Sequence, residues 1–271
     1  MTATALATGR PVATAGARTR RLVWGWRLAL VLLLAGLWEL SRAPWSPAAE
    51  LLPPLADIGV ALAGLPLRAE TWAAVGATLG AALTGLAIAG VLGVALGTLL
   101  GLLPAVARAT RLLVELARAM PVFGLLPVCI LLLGTGFPLT VVIVVTACVW
   151  PFLVQTRLGV AGLHPQLRDV VRAYRVPRPL VVRRVLLPQA LPMIGTGLRI
   201  ALAMAVVVTI GTETIIQSTG LGERIAIAER SGAMALMFAY VLLAALLGLA
   251  CNVLAVAAER SLTRWRPAEV G

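Results

Sequence analysis

Six stretches of this sequence, residues 22–40, 79–103, 112–133, 139–158, 191–211 and 236–258, are too long and too apolar for a chain that folds in water. Each runs for about twenty residues, and at ~1.5 Å rise per residue such a helix covers the ~30 Å hydrocarbon core of a bilayer. In hydrocarbon the backbone must satisfy its own hydrogen bonds, which a helix does within one segment. The expected fold class is therefore all-α: a polytopic membrane protein of six transmembrane helices, with both termini on one side. Composition agrees, with 60% hydrophobic and 13% charged residues, whereas a soluble domain carries about 25% charge.

The formal net charge of +12 invites a nucleic-acid partner, but the placement of the charge argues against one. All 23 basic residues are arginine. With the N-terminus in the cytoplasm, nineteen arginines fall on the inner side and four (Arg42, Arg68, Arg224, Arg230) on the outer side. That is the positive-inside pattern, so the basic excess is read as a topology signal. It places both termini in the cytoplasm. The cysteines, Cys129, Cys148 and Cys251, sit in apolar runs without metal-ligand spacing. His164 stands alone beside Pro165, so no metal or catalytic centre is expected.

Along the chain, residues 1–21 read as a disordered cytoplasmic tail. Arg20-Arg21 before an apolar run suggests a twin-arginine signal, but no small-x-small cleavage site follows, and a retained first helix is expected. That helix, with Arg27 snorkelling towards the headgroups, and a Pro-rich external connection make up residues 22–70. In the second apolar stretch Gly85, Ala89, Gly93, Gly97 and Gly101 place a small residue every four positions. Such a face admits a close helix, either within the chain or from a second copy. Glu115 and Arg118, spaced i, i+3 at the start of the third stretch, are expected to pair near the inner surface. Met120-Pro121, Pro127 and Gly134-Thr135-Gly136 interrupt that stretch. The fifth ends on Thr209, Thr212 and Glu213, and a carboxylate at the membrane edge is a functional candidate or a structural cap.

The long polar interruption lies between the fourth and fifth stretches. Leu167, Val170, Val171 and Tyr174 fall at i, i+3, i+4 and i+7, one apolar helical face, opposite Arg168, Asp169, Arg172 and Arg175. The face can lie on headgroups or dock a soluble partner.

The order of these residues resembles the signature loop of ABC-transporter permeases, the EAA loop. Asp169-Val170-Val171 stands in the acid-and-small slot, Arg175 in the glycine slot, and Val185-Leu186-Leu187-Pro188 closes the motif. Asp replaces the usual Glu and Arg the usual Gly, and Arg adopts the left-handed conformation at a cost of roughly 1 kcal/mol. The Arg118-x-x-Pro121 start, Pro127 and the Gly-x-Gly end of the third stretch resemble the same family, as does Glu213 before Gly220-Leu221-Gly222. Glu259-Arg260 and Trp265 resemble the ending of permeases of the sulfonate, taurine and nitrate importer branch.

The resemblance implies a type I importer permease core over residues 71–260, with an EAA-like loop at 163–192 and a cytoplasmic tail at 261–271. It implies alternating access for a small solute, an aliphatic sulfonate or related anion, between two permease copies. The partners it implies are a separate ATP-binding cassette ATPase, an extracytoplasmic solute-binding protein, a second permease copy and membrane lipid. ATP would be held by the partner, and the chain needs no cofactor and is no enzyme; it lacks the GxxxxGK[ST] phosphate loop. ATPase coupling falls on Leu167, Arg168, Asp169, Val171, Arg172, Tyr174 and Arg175, and the translocation path on Thr209, Thr212 and Glu213. An intramembrane cation to meet an anion is not evident, since Arg199 reads as a headgroup anchor. The competing class, an ion-coupled secondary transporter, requires paired broken helices in two related halves, and no internal repeat is visible.

Overall fold

A computed structural model describes residues 15–43, 46, 51–162 and 173–262. Among them the regular structure is helical, in order α1 (Ala15–Ser41), α2 (Leu55–Gly64), α3 (Ala69–Leu102), α4 (Pro104–Ala109), α5 (Arg111–Ala119), α6 (Leu126–Leu133) and α7 (Phe137–Ala161). A helical turn, Arg178–Val181, and a π-helical segment, Val182–Leu186, then lead into α8 (Leu187–Ile216), followed by α9 (Leu221–Arg230) and α10 (Met234–Leu262). The chain divides into two compact units, Met1–Gly59 and Val60–Gly271.

The first unit is built on α1, whose residues Leu22–Ser41 are long and apolar enough to cross a membrane. Near its start the Arg27 guanidinium lies 5.3 Å from the centroid of the Trp24 ring, a cation–π pairing suited to an interface. At its end Glu39 ties the following segment back. Its carboxylate accepts from Arg42 at 2.6 Å and from the Leu55 N–H at 2.9 Å. The Trp38 indole N–H donates to the Pro53 carbonyl and Arg42 Nε to the Leu52 carbonyl, so a Pro-rich stretch that cannot form a ladder is held by side chains.

The second unit centres on α3 and α7. The small-residue stripe of α3 meets α7 of the same chain. A Cβ added at Gly93 would stand 2.5 Å from Phe152 Cβ and 2.7 Å from the Val149 carbonyl oxygen. One added at Gly97 would stand 2.6 Å from the Leu153 carbonyl oxygen. Of the two readings of this stripe, packing inside one chain is the one the structure adopts. Ala82, Ala89, Val144, Ala147, Phe152, Ala201 and Ala205 form the buried core that joins α3, α7 and α8, with Cys251 and Ala255 of α10 closing it. Cys148 is a buried hydrophobe whose thiol donates to the Ala201 carbonyl at 3.3 Å. A second cluster gathers Leu65, Ala74, Leu221, Ala239 and Tyr240 around α9.

Among the described residues, five helices are long and apolar enough to cross a membrane: Leu22–Ser41, Ala69–Leu102, Phe137–Ala161, Val182–Ile216 and Met234–Ala257. The expected third span, 112–133, is not one helix. Arg111–Ala119 and Val122–Leu133 meet at 87°. Pro121 lacks the N–H that would continue α5, and it forces Met120 out of the helical region, to ψ 128°. The third apolar stretch of the sequence is therefore a bent pair. It hands over to α7 through Gly134 (φ +70°) and Gly136 (φ +127°), conformations that side chains with a Cβ rarely adopt.

Candidate functional site

The residues expected to touch an ATPase lie mostly outside the described residues: Leu167, Arg168, Asp169, Val171 and Arg172. Tyr174 and Arg175 are described. Tyr174 is 80% exposed, and Arg175 holds φ +48°, the left-handed conformation that the glycine slot demands. Here an arginine supplies the turn that glycine makes at no steric cost, and Val176 and Pro177 follow outside any regular element.

Thr209, Thr212 and Glu213, expected on the path, are 0%, 0% and 1% exposed. Glu213 is the centre of a polar clamp. Its Oε2 accepts from the Thr78 hydroxyl of α3 at 2.8 Å and from the Gly222 N–H at 3.1 Å. The same Thr78 oxygen accepts from the Leu221 N–H at 2.9 Å. One carboxylate thus fastens the Gly220-Leu221-Gly222 turn to both α8 and α3. The glycines are there for space: a Cβ at Gly220 would land on the Glu213 carboxyl group, and one at Gly222 on the Ile210 carbonyl oxygen. Oε1 of Glu213 and the hydroxyls of Thr209 and Thr212 are buried without a hydrogen-bond partner among the described residues. Beside the clamp lies a cavity of about 220 Å³ lined by Thr135, Thr140, Glu213, Gln217, Ser218 and Thr219. The spacing of Glu213 from the Gly-Leu-Gly turn is visible in the sequence, but Thr78, 135 positions away, carries no signal there.

A larger cavity, about 350 Å³, opens between the bent pair, α7 and α8. Thr146, Trp150, Pro151 and Gln155 line it from α7, and Ile200 and Met204 from α8. These positions lie near the middle of Phe137–Ala161 and of the apolar span Val182–Ile216. The break at Met120-Pro121 brings Arg118 into the wall. The expected pairing with Glu115 is present but loose, at 3.8 Å with the side chains 46% and 60% exposed. Such an i, i+3 pair contributes about 0.2–0.5 kcal/mol, too little to fix the guanidinium against a better partner. The sequence marks Arg118 twice, as half of a pair with Glu115 and as the start of Arg118-x-x-Pro121, but neither pattern discloses the cavity it lines.

Residues 89–265 match the profile of a family described as "Binding-protein-dependent transport system inner membrane component". The chain is similar to the putative aliphatic sulfonates transport permease protein SsuC of Escherichia coli (strain K12), 28% identical over 235 residues, 87% of this chain and 89% of that one. It is also similar to the nitrate import permease protein NrtB of Leptolyngbya laminosa, 26% identical over 180 residues, 66% of this chain and 64% of the relative's length. The fold matches that of a chain in the inward-facing MetNI methionine ABC transporter, with a TM-score of 0.65 at 20% identity, covering 73% of this chain and 99% of that one. The family profile covers more than half of the sequence and spans α7, α8 and the polar segment between them, so the chain belongs to the binding-protein-dependent transport system inner membrane components: it is an ABC importer permease, not an enzyme.

Proposed function

We propose that two copies of this chain form the translocation path for a small oxyanion and that a separate ATPase drives them through the polar segment 163–192. The substrate class draws on relatives whose names specify aliphatic sulfonates and nitrate, both oxyanions. The single observation that carries the coupling is the EAA-like order of residues between α7 and α8, within the matched region. The apolar face of Leu167, Val171 and Tyr174 and the polar face of Arg168, Asp169, Arg172 and Arg175 rest on the ATPase from the cytosol. An external binding protein delivers the anion to the opposite side. ATP binding draws the two ATPase subunits together, the docked segments follow, and the path changes the side on which it opens. Arginine distribution supports termini in the cytoplasm.

Thr209, Thr212 and Glu213 serve the path indirectly in this reading. All three are buried near the end of α8, and Glu213, through its bonds to Thr78 and Gly222, holds the α8–α9 turn in the shape on which the outer opening depends. Asp169→Arg tests the coupling. It reverses a charge outside every apolar span, so the variant inserts normally, no longer retains the ATPase, and loses uptake by at least tenfold. Transport at the wild-type rate in that variant would refute docking through this segment.

A further inference from the structure

We infer that the cavity between the bent pair, α7 and α8 holds the transported anion midway across, with Arg118 taking the oxyanion head and Ile200, Met204 and Val154 taking an aliphatic tail. This inference rests on the oxyanion reading above and adds to it a place and a shape.

Position comes first. The lining residues of α7 and α8 lie near the midpoints of two helices that are long and apolar enough to cross a membrane. Arg118, 46% exposed, enters the same wall from the last turn of α5, just before Pro121 turns the chain through 87°. A guanidinium beside apolar spans is costly unless it faces water or a counter-charge, so such an arginine marks a path or a ligand.

Chemistry comes second. Glu115, the carboxylate paired with Arg118, is held loosely, which leaves guanidinium donors for a planar or tetrahedral oxyanion. Two further residues with donor groups, Gln155 and Trp150, line the same space. The Thr146 hydroxyl is already given to the Val142 carbonyl, at 2.9 Å, and adds no donor. The remaining wall is apolar, with Pro151, Val154, Ile200 and Met204 among its residues. Its low polarity strengthens the charge pairing at Arg118. It also gives an alkyl group apolar surface that a bare inorganic ion would leave unused. One charged end and one apolar end, in about 350 Å³, suit an oxyanion carrying a short alkyl chain, the alkanesulfonate class.

The test is uptake of nitrate, ethanesulfonate and butanesulfonate by cells that lack the chromosomal copy and carry the full-length chain beside its own partners. Arg118→Gln is expected to lower uptake of the preferred anion at least tenfold with undiminished co-purification of the ATPase, and Arg118→Lys to recover part of it. Ile200→Phe, which fills the apolar end, is expected to lower butanesulfonate uptake at least fivefold relative to ethanesulfonate. Wild-type uptake in Arg118→Gln, or an equal loss of both sulfonates in Ile200→Phe, would overturn the site while leaving the oxyanion reading intact. If Arg118→Gln does not accumulate in the membrane, Arg118→Lys and Ile200→Phe decide by the same comparison. A wild-type chain that moves none of the three anions overturns the oxyanion reading and the site with it.

Discussion

The carboxylate of Glu213 shows how one buried polar residue can join three elements of a fold. Its Oε2 satisfies a hydroxyl of α3 and a backbone N–H of α9 at once, as buried polar groups require. Glu213→Ala would leave the Thr78 hydroxyl and the Gly222 N–H without that acceptor. Each unsatisfied group costs about 1–3 kcal/mol, so the expected loss is several kcal/mol and a clear fall in Tm in detergent. Glu213→Gln keeps an acceptor oxygen in the same place and should stay within about 1 kcal/mol of wild type. If the two variants melt alike, the hydrogen bonds are not what the carboxylate contributes. The sequence made Glu213 visible as a membrane-edge acid before a Gly-Leu-Gly turn. It could not say that the acid faces inwards, because that depends on Thr78, which is adjacent only once α3 and α8 have packed.

At the scale of the elements, the α3–α7 contact is set by the absence of side chains. Gly93 and Gly97 let the α7 backbone come so close that even a methyl group has no room. Gly76, on the same helix, has nothing within 4 Å of an added Cβ. Gly93→Ala is therefore expected to destabilise by about 1–3 kcal/mol through overpacking. Gly76→Ala should be neutral, or stabilise by up to about 1 kcal/mol through helix propensity. Paired melts of the two variants in one detergent check this, and equal effects would mean that α3 and α7 do not meet on this face. The bent pair makes a related point about what a sequence discloses. Apolarity alone made 112–133 one span, whereas Met120-Pro121 divides it, and the interruption was already written in the proline. The angle of 87° was not, because it follows from how Val122–Leu133 packs once released from α5.

For the whole molecule, hydropathy and arginine placement were enough to establish an all-helical membrane chain, and five of the six expected spans coincide with single long helices among the described residues. The first, 22–40, matches Leu22–Ser41 almost residue for residue. Membership of the family was legible from short motifs that are local in sequence, and the family match covers residues 89–265. The cavity at Arg118 was not legible, because it joins residues from three elements whose proximity no local pattern encodes. The coupling residues from Leu167 to Arg172 fall outside the described residues, so their role rests on motif order and on the left-handed turn at Arg175 that follows them.

This chain is expected to move solute only when gripped by a separate ATPase. Gentle detergent extraction of the tagged full-length chain from its native host, with identification of what remains bound after washing, tests it most directly. The expected result is a soluble ATP-binding cassette subunit in fixed proportion to the permease, retained by wild type and lost from Asp169→Arg. A clean permease with no bound ATPase, still moving solute down an ion gradient, would contradict it.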